Sequence, residues 1–100
     1  MVKKPIIWSQ RAKRERKLIL QFWINNNITK DFALQLSSEF SKTTKYLSIY
    51  NHFGRLTDDK ETRVILVNNY SLFYKIETDK IIILSVWNNR RNPADLDIHF

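Results

Sequence analysis

Residues Thr62 to Asn88 read TRVILVNNYSLFYKIETDKIIILSVWN, and the period of the chain changes there. The runs TRVILVN, YSLFYKIE and KIIILSVWN are rich in β-branched and aromatic residues. Asn68-Asn69 and Thr78-Asp79, residue types that form tight turns, separate them. Three strands joined by such short connections form an antiparallel meander. In the middle run Tyr70, Leu72, Tyr74 and Ile76 share one face, while Ser71, Phe73, Lys75 and Glu77 share the other. The last run is more uniformly apolar, as expected of a strand covered on both sides.

Upstream of the meander the pattern is helical. Lys3 to Trp8 reads as a short strand, with Pro5 tolerated near its start. Ser9 is a helix N-cap candidate, and Gln10 to about Ile24 favours helix, with Ala12, Ile19, Phe22 and Trp23 along one stripe. Asn25-Asn26-Asn27 breaks that pattern. Thr29 can cap a second helix in which Phe32, Ala33, Leu36, Phe40, Leu47 and Tyr50 recur at helical spacing. The short break makes the two helices an antiparallel hairpin. Gly54 ends the helical region, and LTDDKE, residues 56–61, reads as a polar turn.

The expected order is β-α-α-β-β-β in one domain over residues 1–100. This is an α+β fold with the helical hairpin packed on one face of a four-stranded, mainly antiparallel sheet. Ile19, Phe22, Leu36, Phe40, Leu72, Tyr74, Leu84 and Val86 are the expected core.

Composition narrows the chemistry. The chain has no cysteine, which excludes disulfides, thiolate metal sites and a thiol nucleophile and suits a reducing cytoplasm. Its single glycine, Gly54, excludes a glycine-rich phosphate cradle. Two separated histidines and scattered acids lack metal-ligand spacing, so neither a metal nor another cofactor is expected. The apolar stretch Ile6 to Trp8 is too short for a signal-peptide core or a membrane span, and a soluble cytoplasmic protein without membrane association is expected. Of the formal net charge of +7, residues 1–20 carry seven Lys/Arg against Glu15 alone. That asymmetry suits an acidic or polyanionic partner, met by a helix face bearing Arg11, Arg14 and Lys17.

Two stretches carry a family resemblance. IIWSQRAKRERKLILQFW, residues 6–23, resembles the opening strand and first helix of the RelE/ParE toxins of bacterial type II toxin–antitoxin systems. NYSLFYKIETDKIIILSVWNNRRNP, residues 69–93, resembles their closing hairpin and last strand. The resemblance is carried by Ser9 and Ala12 at the helix start, Tyr70 and Tyr74 in the hairpin, and the arginines after the last strand. It implies a small basic toxin neutralised by an antitoxin encoded nearby, with which it forms a hetero-oligomer. The antitoxin would wrap the toxin surface, and Arg11, Arg14 and Lys17 are the expected contacts for its acidic segment. RelE-like members cut mRNA on the ribosome, whereas ParE-like members on the same fold poison DNA gyrase without catalysis.

The expected activity is that of a ribosome-dependent mRNA interferase. The alternatives are a ParE-like gyrase inhibitor, or an inactive member that only binds its antitoxin. Cleavage by 2′-hydroxyl attack needs a base, positive charge on the phosphate and a proton for the leaving oxygen. Arg90 stands where RelE-like toxins carry a functional arginine, and Arg63 and His99 complete the catalytic candidates, His99 as a proton shuttle. Arg91, Lys75, Arg55, Trp87 and Phe100 are candidates for binding nucleic acid or the target. His99-Phe100 resembles in part the histidine–aromatic ending of some relatives. RelE-like nucleases place an arginine just after the hairpin tyrosine; here Ser71 follows Tyr70.

Overall fold

The computed structural model describes residues 3–25 and 30–91. The elements run β1 (Ile6–Trp8), α1 (Gln10–Asn25), α2 (Lys30–Ile49), β2 (Arg55–Leu56), β3 (Thr62–Val67), β4 (Tyr70–Ile76) and β5 (Ile81–Asn88). They form a mixed sheet of order β1-β5-β4-β3-β2, antiparallel except where β1 lies parallel to β5. The two helices pack on this sheet, and the fold is α+β as expected.

Ser9 joins the layers. Its Oγ accepts the Ala12 amide at 3.0 Å and so caps α1. The same hydroxyl donates to the Leu84 carbonyl at 3.0 Å, and the Ser9 amide donates to the Ile83 carbonyl at 2.9 Å. The cap therefore fixes where α1 begins above β5. Ala12, fully buried, keeps the first turn of the helix close to the sheet.

The core lies between helices and sheet. Leu36, Phe40 and Leu47 of α2 meet Tyr70, Leu72 and Tyr74 of β4 and Ile81, Ile83 and Val86 of β5. Phe40 stands edge-on to Trp8 and to Tyr70, with ring centroids 6.4 and 6.1 Å away. Such edge contacts add modestly to the burial of the rings.

Four details differ from the sequence reading. The sheet has a fifth strand, β2, whose Arg55 and Leu56 pair with Val64 and Arg63. Two residues are too few to show a period, so Leu56 reads as loop. Tyr50 follows the last residue of α2 and is exposed. Phe22 is 54% exposed. Trp23 and Ile19 face the core, and Phe22, one residue off that row, only meets Trp23 edge-on at 5.2 Å. Leu84 is half-buried because of a β-bulge. Tyr74 pairs with Ile83 and Phe73 with Ser85, so Leu84 has no partner in β4. The extra residue shifts the phase of β5, which buries Ile81 and Ile83 before the bulge and Val86 after it.

Glu15 satisfies the bulge. Its Oε1 accepts the Ser85 hydroxyl at 2.8 Å and the Val86 amide at 3.2 Å, while Oε2 lies 3.6 Å from Arg11 Nε. The only acid of α1 is thus turned inward, toward the sheet.

Candidate functional site

The end of β5 is tied down by asparagines. The Asn89 amide donates to the Asn69 carbonyl at 2.9 Å, joining β5 to the tip of the β3–β4 hairpin. Asn88 Oδ1 accepts the Arg90 amide at 2.9 Å, and Asn89 Oδ1 accepts the Ser71 hydroxyl at 2.7 Å. In the hairpin itself Asn68 sits at φ 58°, a left-handed conformation that asparagine tolerates well. Asn89 thus joins the two strand ends, through its amide to Asn69 and its side chain to Ser71.

This scaffold sends the two arginines apart. The Arg90 guanidinium carbon lies 5.7 Å from the Trp23 ring centroid, and that of Arg91 lies 4.8 Å from the Trp87 centroid. Trp23 belongs to the helical layer, where its Nε1 donates to the Tyr70 hydroxyl at 2.8 Å. Trp87 pairs with Ser71, and the neighbours of Ser71, Tyr70 and Leu72, point into the core. Strand alternation therefore places Trp87 on the face away from the helices. Arg90 and Arg91 lie on opposite faces, each over an indole at cation–π distance. Trp87 is buried, 7% exposed, so its ring is packing surface for Arg91.

The other cations stand elsewhere. Arg63 Nη1 donates to the Gly54 carbonyl at 2.7 Å and to the His52 carbonyl at 3.3 Å. Its guanidinium thus pins the segment between α2 and β2. Beside it Tyr74, fully buried, donates its hydroxyl proton to the Asn51 carbonyl at 2.8 Å and accepts the Gly54 amide at 2.7 Å. Burial pushes the Tyr74 phenol above its ordinary range, against the opposing effects of the Gly54 amide and the Arg63 charge.

Lys75 lies 3.8 Å from Glu61 in an exposed ion pair, an arrangement that contributes little. It is five strand residues from Tyr70, about 17 Å at the usual rise, and so is remote from the arginines after β5. Arg55 is exposed on β2 beside a groove of about 420 Å³ lined by Phe53, Gly54, Ile65, Leu66 and Ser71. On α1, Arg14 and Lys17 are exposed. His99 and Phe100 lie outside the described residues, as does Thr29.

By strand alternation Arg55, paired with Val64, shares the outer face with Lys75. Arg63, paired with Tyr74, turns to the helical face at the same end of the sheet, and Arg90 and Arg91 lie at the other end. Among the described residues no group of three or more His, Asp or Glu is placed to hold a metal ion. No helix among them is long and apolar enough to cross a membrane.

The family model for the ParE toxin of the type II toxin–antitoxin system parDE matches residues 6–93. The chain belongs to the ParE toxin family. It is also similar to a solved chain of the chromosomal ParDE toxin–antitoxin system from P. aeruginosa, at a TM-score of 0.74 and 17% identity, covering 88% of this chain and 98% of that one. This second likeness is one of fold. No curated relative matches the chain.

As a ParE-family toxin the chain is one component of a type II toxin–antitoxin system, with an antitoxin as its partner. The ParE-family fold here also carries a surface that the sequence reading did not single out. Tyr46 stacks on Tyr50 at 4.6 Å and meets Phe53 edge-on at 4.8 Å. All three are exposed, as is Leu66 at 70%, across a groove of about 340 Å³ that includes Lys42, Thr43, Phe53 and Ile65. The signal was present at the end of α2, where Thr43 and Tyr46, continued by Tyr50 just beyond the helix, form a second row beside the core row Phe40, Thr44 and Leu47.

Proposed function

We propose that this ParE-family toxin acts by binding DNA gyrase and inhibiting it, without cleaving RNA. One observation carries the reading: the guanidinium groups of Arg90 and Arg91 lie on opposite faces of the sheet. Stabilising a phosphate during 2′-hydroxyl attack needs cationic donors aimed at one point. Here Arg63 is engaged by two backbone carbonyls, and Lys75 is directed to Glu61 at the far end of β4. Ser71, where RelE-like nucleases carry an arginine, spends its hydroxyl on Asn89. The exposed Tyr46, Phe53 and Leu66 supply the apolar area that docking to a protein requires. Neutralisation then falls to the antitoxin, expected to be acidic and to order on the toxin as it binds.

The test is a direct comparison with purified toxin. It should block supercoiling by gyrase and trap gyrase on DNA, while ribosome-bound mRNA keeps its 5′ ends. Cleavage of that mRNA with gyrase unaffected would reverse the assignment in favour of a ribosome-dependent interferase. If neither target responds and only the antitoxin binds, the chain is an inactive family member.

A further inference from the structure

We infer that the outer face of α1 binds double-stranded nucleic acid through its phosphate backbone. Gln10, Arg14, Lys17 and Gln21 are spaced four, three and four residues apart, so they form one row along the helix, with Lys13 beside it. All five are exposed. The row is polar until Ile24, and the exposed apolar residues Leu18 and Phe22 lie along the neighbouring row.

The charge on this helix is placed against the helix's own interest. The first turn holds no acid, and Arg11, Lys13, Arg14, Arg16 and Lys17 all stand in the N-terminal half. Cations there oppose the positive end of the helix dipole and weaken the helix. Some are compensated within the fold: Arg11 by Glu15 at 3.6 Å, and Arg16 by the Trp8 ring at 4.2 Å. Glu15 itself is turned to Ser85 and Val86, so it does not neutralise the outer row. Among the described residues Lys13, Arg14 and Lys17 make no ion pair. An external polyanion would supply the missing compensation.

The composition of the row selects the kind of polyanion. A specific protein interface centres on apolar side chains with charges at its rim; this row is itself polar, with Leu18 and Phe22 beside it rather than within it. A single-stranded nucleic acid is held on aromatic platforms. Three of the exposed aromatics, Tyr46, Tyr50 and Phe53, instead cluster around the C-terminal end of α2. Cations and amides in a line, with one exposed aromatic, Phe22, beside them, suit the phosphates of a duplex, contacted without regard to sequence. This contact does not depend on gyrase being the toxin's target.

The experiment measures binding of the full chain to a fluorescently labelled duplex of arbitrary sequence, by anisotropy, over a series of salt concentrations. Wild type should be compared with Lys13→Gln/Arg14→Gln/Lys17→Gln and with a control of equal charge change, Lys30→Gln/Lys45→Gln/Lys60→Gln. Three lost phosphate contacts should reduce the slope of log affinity against log salt by about 2.7, at about 0.9 per contact. The control should change it by well under half of that. Equal slopes in the two variants would overturn the inference, since net charge alone would then explain binding. It would be overturned equally if the α1 variant bound the duplex as wild type does. Weakened association with the antitoxin in that case would assign the row to the antitoxin.

Discussion

The Tyr74 hydroxyl and the Gly54 amide meet at 2.7 Å inside the protein, and a Cβ at residue 54 would stand 2.6 Å from Tyr74 Cε1. The only glycine of the chain is thus required by close approach, with a buried ring filling the space a side chain would take. Gly54→Ala should destabilise the fold by about 1–3 kcal/mol through overpacking. Tyr74→Phe should cost about 1–3 kcal/mol by orphaning the Gly54 amide. It should not rescue Gly54→Ala, because the ring carbon remains. Urea midpoints of the three variants check both points.

Ser9 offers a second measurement of the scaffold. Ser9→Ala removes the cap on the Ala12 amide and the bond to the Leu84 carbonyl. A loss of about 1 kcal/mol is expected, at least as large as for an ordinary N-cap. Chemical denaturation followed by circular dichroism should show it, and a change below a few tenths would mean that the cap is not formed.

Because Arg90 and Arg91 lie over different indoles on different faces, their contributions to toxicity should be independent. In a double-mutant cycle of Arg90→Ala and Arg91→Ala, read as gyrase inhibition, the effects should add to within about 0.5 kcal/mol. Strong coupling would show instead that both act on one ligand atom or group.

Asp59 gives the fold a pH dependence of known sign. Its carboxylate accepts the Thr62 hydroxyl at 2.6 Å and the amides of Thr62 and Glu61 at 2.7 and 2.8 Å, and these bonds hold its pKa far below the ordinary range. The stabilisation is present above the unfolded value, about 3.9. It is lost as pH falls below that, because the unfolded chain then takes up a proton that the folded chain refuses. Asp59→Asn should lower stability at neutral pH and flatten the acid side of the profile. Urea midpoints from about pH 7 to about pH 2.5 test this, and an unchanged acid slope would contradict it.

The meander was legible because β-branched and aromatic residues with turn-forming asparagines leave few other choices, and Ser9 announced α1 by its chemistry. What stayed hidden depended on single residues. The bulge at Leu84 looks like uninterrupted strand, since every residue around it is apolar or small. Phe22 has the right character for a core but sits off the row that Ile19 and Trp23 define. At the site, the positions of Arg90 and Arg91 could be read from the sequence, but their directions could not. Direction came from the turn that Asn88 and Asn89 impose. Arg63 could be seen as a cation, but its bonds to the His52 and Gly54 carbonyls arise only from tertiary structure.

The shortness of β2 has a consequence for the free protein. The Thr62 carbonyl accepts the Thr57 amide, so residues 62, 64 and 66 turn their backbone groups outward from β3. Val64 meets Arg55, but Leu66 has no strand opposite it among the described residues, and its side chain is exposed. An uncovered strand edge bearing an apolar side chain invites edge-to-edge pairing between copies. Repulsion from a net charge of +7 keeps such copies apart. Salt weakens that repulsion, so the unbound toxin should be least soluble where ionic strength is high, and the same edge sets an upper limit on how concentrated it can become without a partner.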